Sequence, residues 1–335
     1  IKDVYAWKID ERIEHLYMYK AAQEGDDAVF FEYSKSLYGN PTEDHELFAY
    51  TLTEIQNEVI RAFESADEGR IEAAKRIQTS ILRNDIAEKN IISVAHFDTP
   101  PLEKREDGRI MTAEEIQAHF MQTLSDLGYD NWRVEIDEDG RRTNLSISQK
   151  NRVVHIPIDK YIRTGRENPL TKKELEILTA HEIGTHVVRR ENGENSQLRL
   201  LGYGLDRYLG AEEGIAKREE QKIVGMNSFS RNLPYLSVSL TVGVDGTKHG
   251  FREIYEISKK YQLINGEDNA NATETAWTST YRAFRGTTCE GLGMCSTKRA
   301  LYRKYNYEIW KLVNEHPEME QYFMLGKYDP TNERH

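Results

Sequence analysis

Apolar residues recur at helical spacing along most of this chain. Tyr5, Ile9 and Ile13 lie four positions apart, which is the spacing of an amphipathic helix, and they predict a helix over residues 4–22. The same period predicts further helices over residues 43–63, 69–83, 236–242, 250–261, 273–285 and 297–313. The chain is therefore expected to be mostly helical.

Two more helices begin with a recognisable capping sequence. One follows Thr112, with Glu115 three residues later, and is expected to end near Gly128. The other follows Thr171, with Glu174 three residues later. In such a capping box the threonine hydroxyl and the glutamate carboxylate bind N–H groups that the start of the helix leaves free. Helices are therefore expected to start at both threonines.

A different pattern occupies residues 131–158. Residues 132–136 and 145–148 alternate between apolar and polar side chains, which is the period of a strand with one buried face. An Asp-Gly pair between them is typical of a hairpin turn, and a second turn leads into a third strand over residues 152–158. These signals predict a three-stranded antiparallel meander directly before the second capped helix.

Composition narrows the classes of partner and compartment. The chain carries a formal net charge of −11 at pH 7, which argues against nucleic acid or an anionic membrane as the main partner, because both bind basic surface. No apolar run approaches the roughly 20 residues of a membrane-spanning helix. The two cysteines, Cys289 and Cys295, form no disulfide framework and match no common zinc spacing. A cytoplasmic protein is therefore expected.

The candidate chemistry lies in residues 181–186, His-Glu-Ile-Gly-Thr-His. Zinc peptidases usually carry two histidines four residues apart, because four steps of about 100° return to nearly the same helix face. Here the spacing is five, which on a regular α-helix would leave the rings roughly 140° apart. A single π-helical turn absorbs one extra residue, and Gly184 would ease that distortion. We therefore expect a bulged helix with His181 and His186 directed at one Zn²⁺.

The other parts of a catalytic zinc site are also present. Such sites take three protein ligands and leave one position for water. His181, His186 and Glu213 would be these ligands, with Glu212 as the competitor of Glu213. Glu182 is the expected general base, which takes a proton from the zinc-bound water and passes it to the leaving amine. Candidates for orienting the histidines are Glu212, Asp206 and Asn192.

The sequence around this motif resembles the tyrosine carboxypeptidase family, which includes the microtubule-associated tyrosine carboxypeptidases and bacterial relatives with a Gln-Glu-Gly-Leu-Ala motif. The family pattern is a six-residue His-Glu-x-x-x-His, a following Asn-Gly, and a Glu-Gly-Leu-Ala segment whose glutamate is the third zinc ligand. Residues 181–186, 192–193 and 213–216 match it, with Ile215 in place of leucine. Residues 31–41 and 282–286 resemble two further stretches of the family.

The resemblance implies removal of a C-terminal residue, in the characterised eukaryotic members an aromatic one from tubulin. Nothing in this chain indicates tubulin, so the expected substrate is a peptide or protein C-terminus. Pattern and resemblance together predict an α+β, mostly helical, gluzincin-like metallopeptidase in which a small antiparallel sheet packs beside the zinc-binding helix. An N-terminal helical region over residues 1–110 and a catalytic domain over residues 111–335 are expected, or else one continuous compact unit.

A carboxypeptidase must bind a free carboxylate, which arginine does well through two parallel charged hydrogen bonds. Arg282 and Arg285 are three apart on a predicted helix and are expected to share a face, although each could instead be an ordinary surface charge. Arg163 is a further candidate. Tyr203, like Tyr208 and Tyr281, is a candidate donor to the oxyanion of the tetrahedral intermediate.

The third predicted strand could also hold the substrate. Pro157 cannot donate a ladder hydrogen bond and therefore favours an edge position for residues 152–158. An edge strand beside the metal helix could bind a substrate backbone by strand addition. A purely structural sheet is an equal alternative.

Two other functions remain open at this point. A zinc aminopeptidase or dipeptidyl peptidase is possible, because dipeptidyl peptidase III also has a six-residue His-Glu-x-x-x-His, but it would need an acidic cluster for the substrate amino terminus. A regulatory protein with non-catalytic zinc would close the site with a fourth protein ligand. The paired arginines favour the carboxypeptidase.

Overall fold

Helices dominate the computed structural model, which describes residues 2–82, 111–139, 145–157, 171–225, 229 and 232–335. Three strands are present in this part: β1 (Arg133–Asp137), β2 (Ser146–Ser148) and β3 (Val153–Pro157). The α-helices are α1 (Lys2–Glu24), α2 (Asp27–Tyr38), α3 (His45–Phe63), α4 (Glu68–Ser80), α5 (Ala113–Asp126), α6 (Lys172–His181), α7 (Val188–Asn195), α8 (Leu200–Tyr203), α9 (Leu209–Val224), α10 (Asn232–Val242), α11 (Phe251–Ile264), α12 (Asn269–Phe284) and α13 (Lys298–Glu315).

The chain forms two compact units, each made of two stretches of sequence. One comprises Ile1–Val94 with Ser228–Lys311, and the other Ala95–Asn227 with Leu312–His335. The division predicted from the sequence was a single one, at residue 110, or else one continuous compact unit. In the structure α11 packs against α4 and α12, so these later helices join the N-terminal ones.

The first unit is helical, and it contains one helix that the sequence analysis missed. α2 begins after Gly25, which has a positive φ of 70°, and Asp26, whose side chain accepts a hydrogen bond from Val29 N. A glycine that ends one helix followed by an aspartate that caps the next is a recognisable signal. The predicted helices over residues 4–22 and 43–63 correspond to α1 and α3.

In α1 the predicted helix is correct, but its apolar residues are not in the core. Tyr5, Ile9 and Ile13 are 44%, 59% and 43% exposed, whereas Lys8 and Glu11 are buried and form an ion pair with an N–O distance of 2.5 Å. Helical spacing thus predicted the helix without identifying the face that packs.

None of the described helices combines the length and apolar character that a membrane-spanning segment needs.

In the second unit the sheet differs from the predicted antiparallel meander. Its strand order is β1-β3-β2; β1 pairs with β3 in parallel, and β2 pairs with β3 in antiparallel orientation. β3 therefore lies in the centre among the described strands, and the predictions of an edge position and of strand addition to β3 are wrong. The reason is burial: Val154 and Ile156 are fully buried, and the most apolar strand takes the position flanked on both sides. Pro157 lies at the strand end, opposite Asp137.

One hydrophobic core connects this sheet to the helix that carries the candidate motif. α5 contributes Phe120, the sheet contributes Val154 and Ile156, and the motif segment contributes Ile183 and Val187, all fully buried. Burying an aliphatic or aromatic side chain of this size stabilises the fold by about 1.5–3 kcal/mol. Ile183 and Val187 therefore anchor the motif segment on one side.

Both predicted capping boxes are present, at Thr112 and Thr171.

Candidate metal centre

The motif forms the predicted π-helical turn. α6 ends at His181, a π-helix spans Glu182–Val187, and α7 continues from Val188. The hydroxyl of Thr185 donates to the carbonyl of Ala180, five residues earlier, at 3.1 Å. The π-helical turn brings the imidazole rings of His181 and His186 together, with their centroids 5.0 Å apart. The extra residue in the spacing is absorbed as predicted.

Gly184 is not required sterically for this turn. A Cβ atom built at this position would lie 3.6 Å from the nearest heavy atom, the carbonyl oxygen of Thr179. This is an ordinary van der Waals distance. The expectation that missing bulk at Gly184 eases the distortion therefore has no support in the packing.

Replacing Gly184 with alanine is expected to preserve the fold and to raise its stability slightly. Glycine in a helix interior is less favourable than alanine by about 0.5–1 kcal/mol, and no clash opposes the added methyl group. The measurement is the free energy of unfolding in urea. A loss of stability above about 1 kcal/mol, on the scale of typical destabilising substitutions, would show that the π-turn needs glycine.

Each histidine has a carboxylate from α9 beside its Nδ1 atom, as a hydrogen bond at His186 and as a close ion-pair contact at His181. Nδ1 of His186 lies 2.6 Å from Oε1 of Glu212, and Nδ1 of His181 lies 2.6 Å from Oε1 of Glu220. A carboxylate on one ring nitrogen fixes the tautomer and the ring orientation and leaves the other nitrogen available to a metal ion. Nε2 of each ring is therefore the nitrogen left for a metal ion, on two rings whose centroids lie 5.0 Å apart.

Lysines in turn pair with these two glutamates. Lys327 Nζ lies 2.5 Å from Oε1 of Glu212, and Lys217 Nζ lies 2.6 Å from Oε2 of Glu220. Burial alone would raise the pKa of the Glu212 carboxyl, but Lys327, His186 and Arg189 lower it well below its ordinary value. Glu212 is thus a carboxylate engaged by His186 and Lys327, and not a free ligand.

Two further carboxylates lie beside the imidazoles. A ligand atom of Glu182 lies within 4.8 Å of ligand atoms of both His181 and His186, and Oε2 of Glu213 lies 3.9 Å from Nε2 of His181. Burial raises the pKa of Glu182, although the two histidines partly offset the shift. Burial alone would lower the pKa of His186, but Glu212 and neighbouring carboxylates raise it above its ordinary value. His181, Glu182 and His186 therefore form a cluster that could hold a metal ion, and Glu213 lies beside His181.

Tyr203 does not join this cluster among the described contacts. Tyr203 is the last residue of α8, is 60% exposed, and has its ring 4.8 Å from the guanidinium carbon of Arg190. Among the described contacts Tyr203 has none with the two histidines or Glu182. Arg163 lies outside the described residues.

The predicted arginine pair belongs to the first unit and does not share a helix face. α12 ends at Phe284, after Arg282, and Arg285 has extended backbone angles, φ −60° and ψ 125°. The chain then turns through Gly286, which has a φ of 100°. Both arginines are exposed, and their role in substrate binding stays a prediction.

Two of the candidates for orienting the histidines have other partners. Asp206 is fully buried and pairs with Arg334 and His335. Asn192 donates a hydrogen bond to the carbonyl of Met324. Both side chains therefore hold the C-terminal segment, and the proposal that they orient the histidines is wrong.

Glu220, Lys217 and Lys327 are residues of the site that were not predicted from the sequence. Glu220 lies seven residues after Glu213, two helical turns along the same face of α9, and this spacing could have indicated it. Lys327 is 115 residues from Glu212, and no local pattern connects them.

Comparison with known proteins identifies the family of the chain. The model of the microtubule-associated tyrosine carboxypeptidase family matches residues 82–333, most of the chain. A search of the curated proteins found no match. The chain belongs to the microtubule-associated tyrosine carboxypeptidase family, and this membership implies carboxypeptidase activity of the tyrosine-removing type.

Proposed function

We propose that this protein is a zinc-dependent metallocarboxypeptidase that removes a C-terminal residue, preferentially an aromatic one, from a peptide or protein. The observation that carries the proposal is the pair of imidazoles that the π-helical turn brings to 5.0 Å between centroids, each with a carboxylate oxygen 2.6 Å from its Nδ1. The preference for an aromatic residue rests on the family.

The residues at the centre fit zinc by their donor chemistry. The Nε2 atoms of His181 and His186 and the carboxylate of Glu213 would hold the ion. Two imidazoles and one carboxylate are the ligands of many catalytic zinc sites. When bound, zinc supplies a Lewis acid that polarises the scissile carbonyl and increases the acidity of water.

Glu182 would act as the general base. Its carboxylate is adjacent in sequence to His181 and lies within reach of both imidazoles. It accepts a proton from the attacking water and passes it to the nitrogen of the leaving amino acid. Its raised pKa, caused mainly by burial, favours holding this proton between the two transfers.

The remaining residues of the site support this chemistry by position. Glu212 and Glu220 orient His186 and His181. Glu213 is the proposed ligand rather than Glu212, because Glu212 is engaged by Lys327 and His186, whereas an oxygen of Glu213 lies on the Nε2 side of His181. The unpaired cysteines Cys289 and Cys295 support action in a reducing compartment, the cytoplasm.

Three matched peptides test the type of peptidase. They share one sequence ending in tyrosine and differ in their ends: both free, C-terminus amidated, or N-terminus acetylated. The protein is expected to shorten the free and acetylated peptides by one C-terminal residue and to leave the amidated peptide intact, because it requires a free carboxylate. Mass spectrometry identifies the products. Cleavage of the amidated peptide with loss of N-terminal residues would instead show an aminopeptidase.

Metal removal tests the zinc requirement. Dialysis against a chelator is expected to abolish cleavage, and one equivalent of Zn²⁺ is expected to restore it, because three protein ligands are available for the ion. Metal analysis before and after dialysis gives the stoichiometry. Full activity in protein with far less than one metal ion per chain would contradict the proposal.

A fourth peptide that ends in alanine measures the aromatic preference.

A further inference from the structure

Lys327 is fully buried, with an exposed fraction of 0%. Lysine is rarely buried completely unless its charge is paired, because removing an ammonium group from water is costly. Its partner is Oε1 of Glu212, at 2.5 Å. The cost of burying this lysine therefore points to a role for the ion pair.

Backbone contacts place Lys327 at this position. Its N–H donates to the carbonyl of Leu201 at 2.7 Å, and its own carbonyl accepts from the N–H of Leu205 at 2.8 Å. Arg189 holds the flanking residues, donating to the carbonyls of Gly326 and Tyr328 at 2.8 Å and 2.7 Å. The lysine is thus fixed on both sides, so its side chain has a defined direction.

The same oxygen of Glu212 contacts both Lys327 and His186. Oε1 lies 2.5 Å from Nζ of the lysine and 2.6 Å from Nδ1 of the histidine. The ammonium group therefore fixes the oxygen that orients the imidazole. Hydrogen-bonded chains of this kind are strongest where water is excluded, and the side chains of Glu212 and Lys327 are only 2% and 0% exposed.

The lysine–glutamate pair beside the other histidine, His181, is more exposed to solvent. The side chains of Lys217 and Glu220 are 17% and 18% exposed. Lys217 and Glu220 also lie three residues apart on one helix, so the pair forms locally. Lys327 differs because it comes from the distant C-terminal segment and is enclosed.

We propose that Lys327 is a positioning residue of the metal centre, which fixes the Glu212 carboxylate and through it directs Nε2 of His186 toward the metal ion. The inference rests on the proposed function, because it requires that His186 is a ligand. It extends the site from the helices α6 to α9 to the C-terminal segment.

The test is the zinc affinity of the Lys327→Met variant, measured by competition with a fluorescent chelator. Methionine keeps the length of the side chain and removes its charge. Loss of a residue that supports a metal ligand typically weakens binding about 10- to 100-fold, and this loss is expected here. Lys173→Met, at an exposed position of α6, is the control and is expected to bind zinc like the wild type.

A double variant, Glu212→Gln with Lys327→Met, separates positioning from folding. It removes both charges of the Glu212–Lys327 pair, and the glutamine oxygen can still accept from Nδ1 of His186. Arg189 loses the carboxylate 3.9 Å away but keeps its hydrogen bonds to the carbonyls of Gly326 and Tyr328. Its zinc affinity is expected to be about 10-fold below that of the wild type, because no ammonium group fixes the amide. This variant decides the question if Lys327→Met alone does not fold.

The outcomes distinguish the inference from the function on which it rests. Failure of the wild-type protein to bind zinc would contradict the proposed function. If the wild type binds zinc and the double variant binds it equally well, Lys327 is not a positioning residue. The same conclusion follows if Lys327→Met unfolds more easily without metal but keeps the wild-type zinc affinity.

Discussion

Replacing Glu182 with glutamine is expected to lower kcat for a tyrosine-ended peptide about 100- to 10,000-fold, the usual contribution of general acid–base catalysis. Glutamine keeps the shape of the side chain but cannot accept the proton of the attacking water. Because His181, His186 and Glu213 are unchanged, the variant is expected to keep its zinc. Steady-state kinetics and metal analysis on the same preparation measure both effects.

The matched control for this variant is Glu176→Gln, at an exposed position of α6. It removes the same charge from the helix that leads into the motif, and activity within about twofold of the wild type is expected, as for most surface substitutions. Loss of zinc together with activity in Glu182→Gln would assign Glu182 to metal binding. Activity that survives the substitution would remove Glu182 from the mechanism altogether.

Replacing Gly193 with alanine is expected to destabilise the protein by about 3 kcal/mol, the upper end of the usual cost of overpacking. A Cβ atom at this position would lie 2.5 Å from the backbone nitrogen of Gly202 and even closer to the carbonyl group of Leu201. These are backbone atoms, which cannot turn aside as the end of a side chain can. Urea unfolding measures the loss.

The clash is also expected to disturb the metal centre. The carbonyl of Leu201 accepts the hydrogen bond from the N–H of Lys327, so displacement of Leu201 would move the lysine that holds Glu212. Gly184→Ala, a glycine-to-alanine change in the same helical region without a clash, is the control. Equal stability of the two variants would show that α7 and the segment after it separate without cost.

The helices were largely predictable because their signals are local. A capping box such as Thr171 with Glu174 provides hydrogen-bond acceptors for the free N–H groups at a helix start, and it lies within four residues of sequence. The structure has both predicted boxes. The sheet was less predictable. Alternation identified its strands, but the central position of β3 follows from the burial of Val154 and Ile156 against α5 and the motif segment, which are separate in sequence.

The sequence by itself determined the core of the candidate centre. The five-residue spacing of His181 and His186 allows a shared face only through a π-turn, because helical geometry within six residues decides where their rings point, and the structure has this turn. Only the tertiary structure decided that Glu212, and not the neighbouring Glu213, pairs with Lys327 and His186. That depends on Lys327, brought to Glu212 across 115 residues by backbone hydrogen bonds and burial, and no local pattern in the sequence encodes a contact of that range.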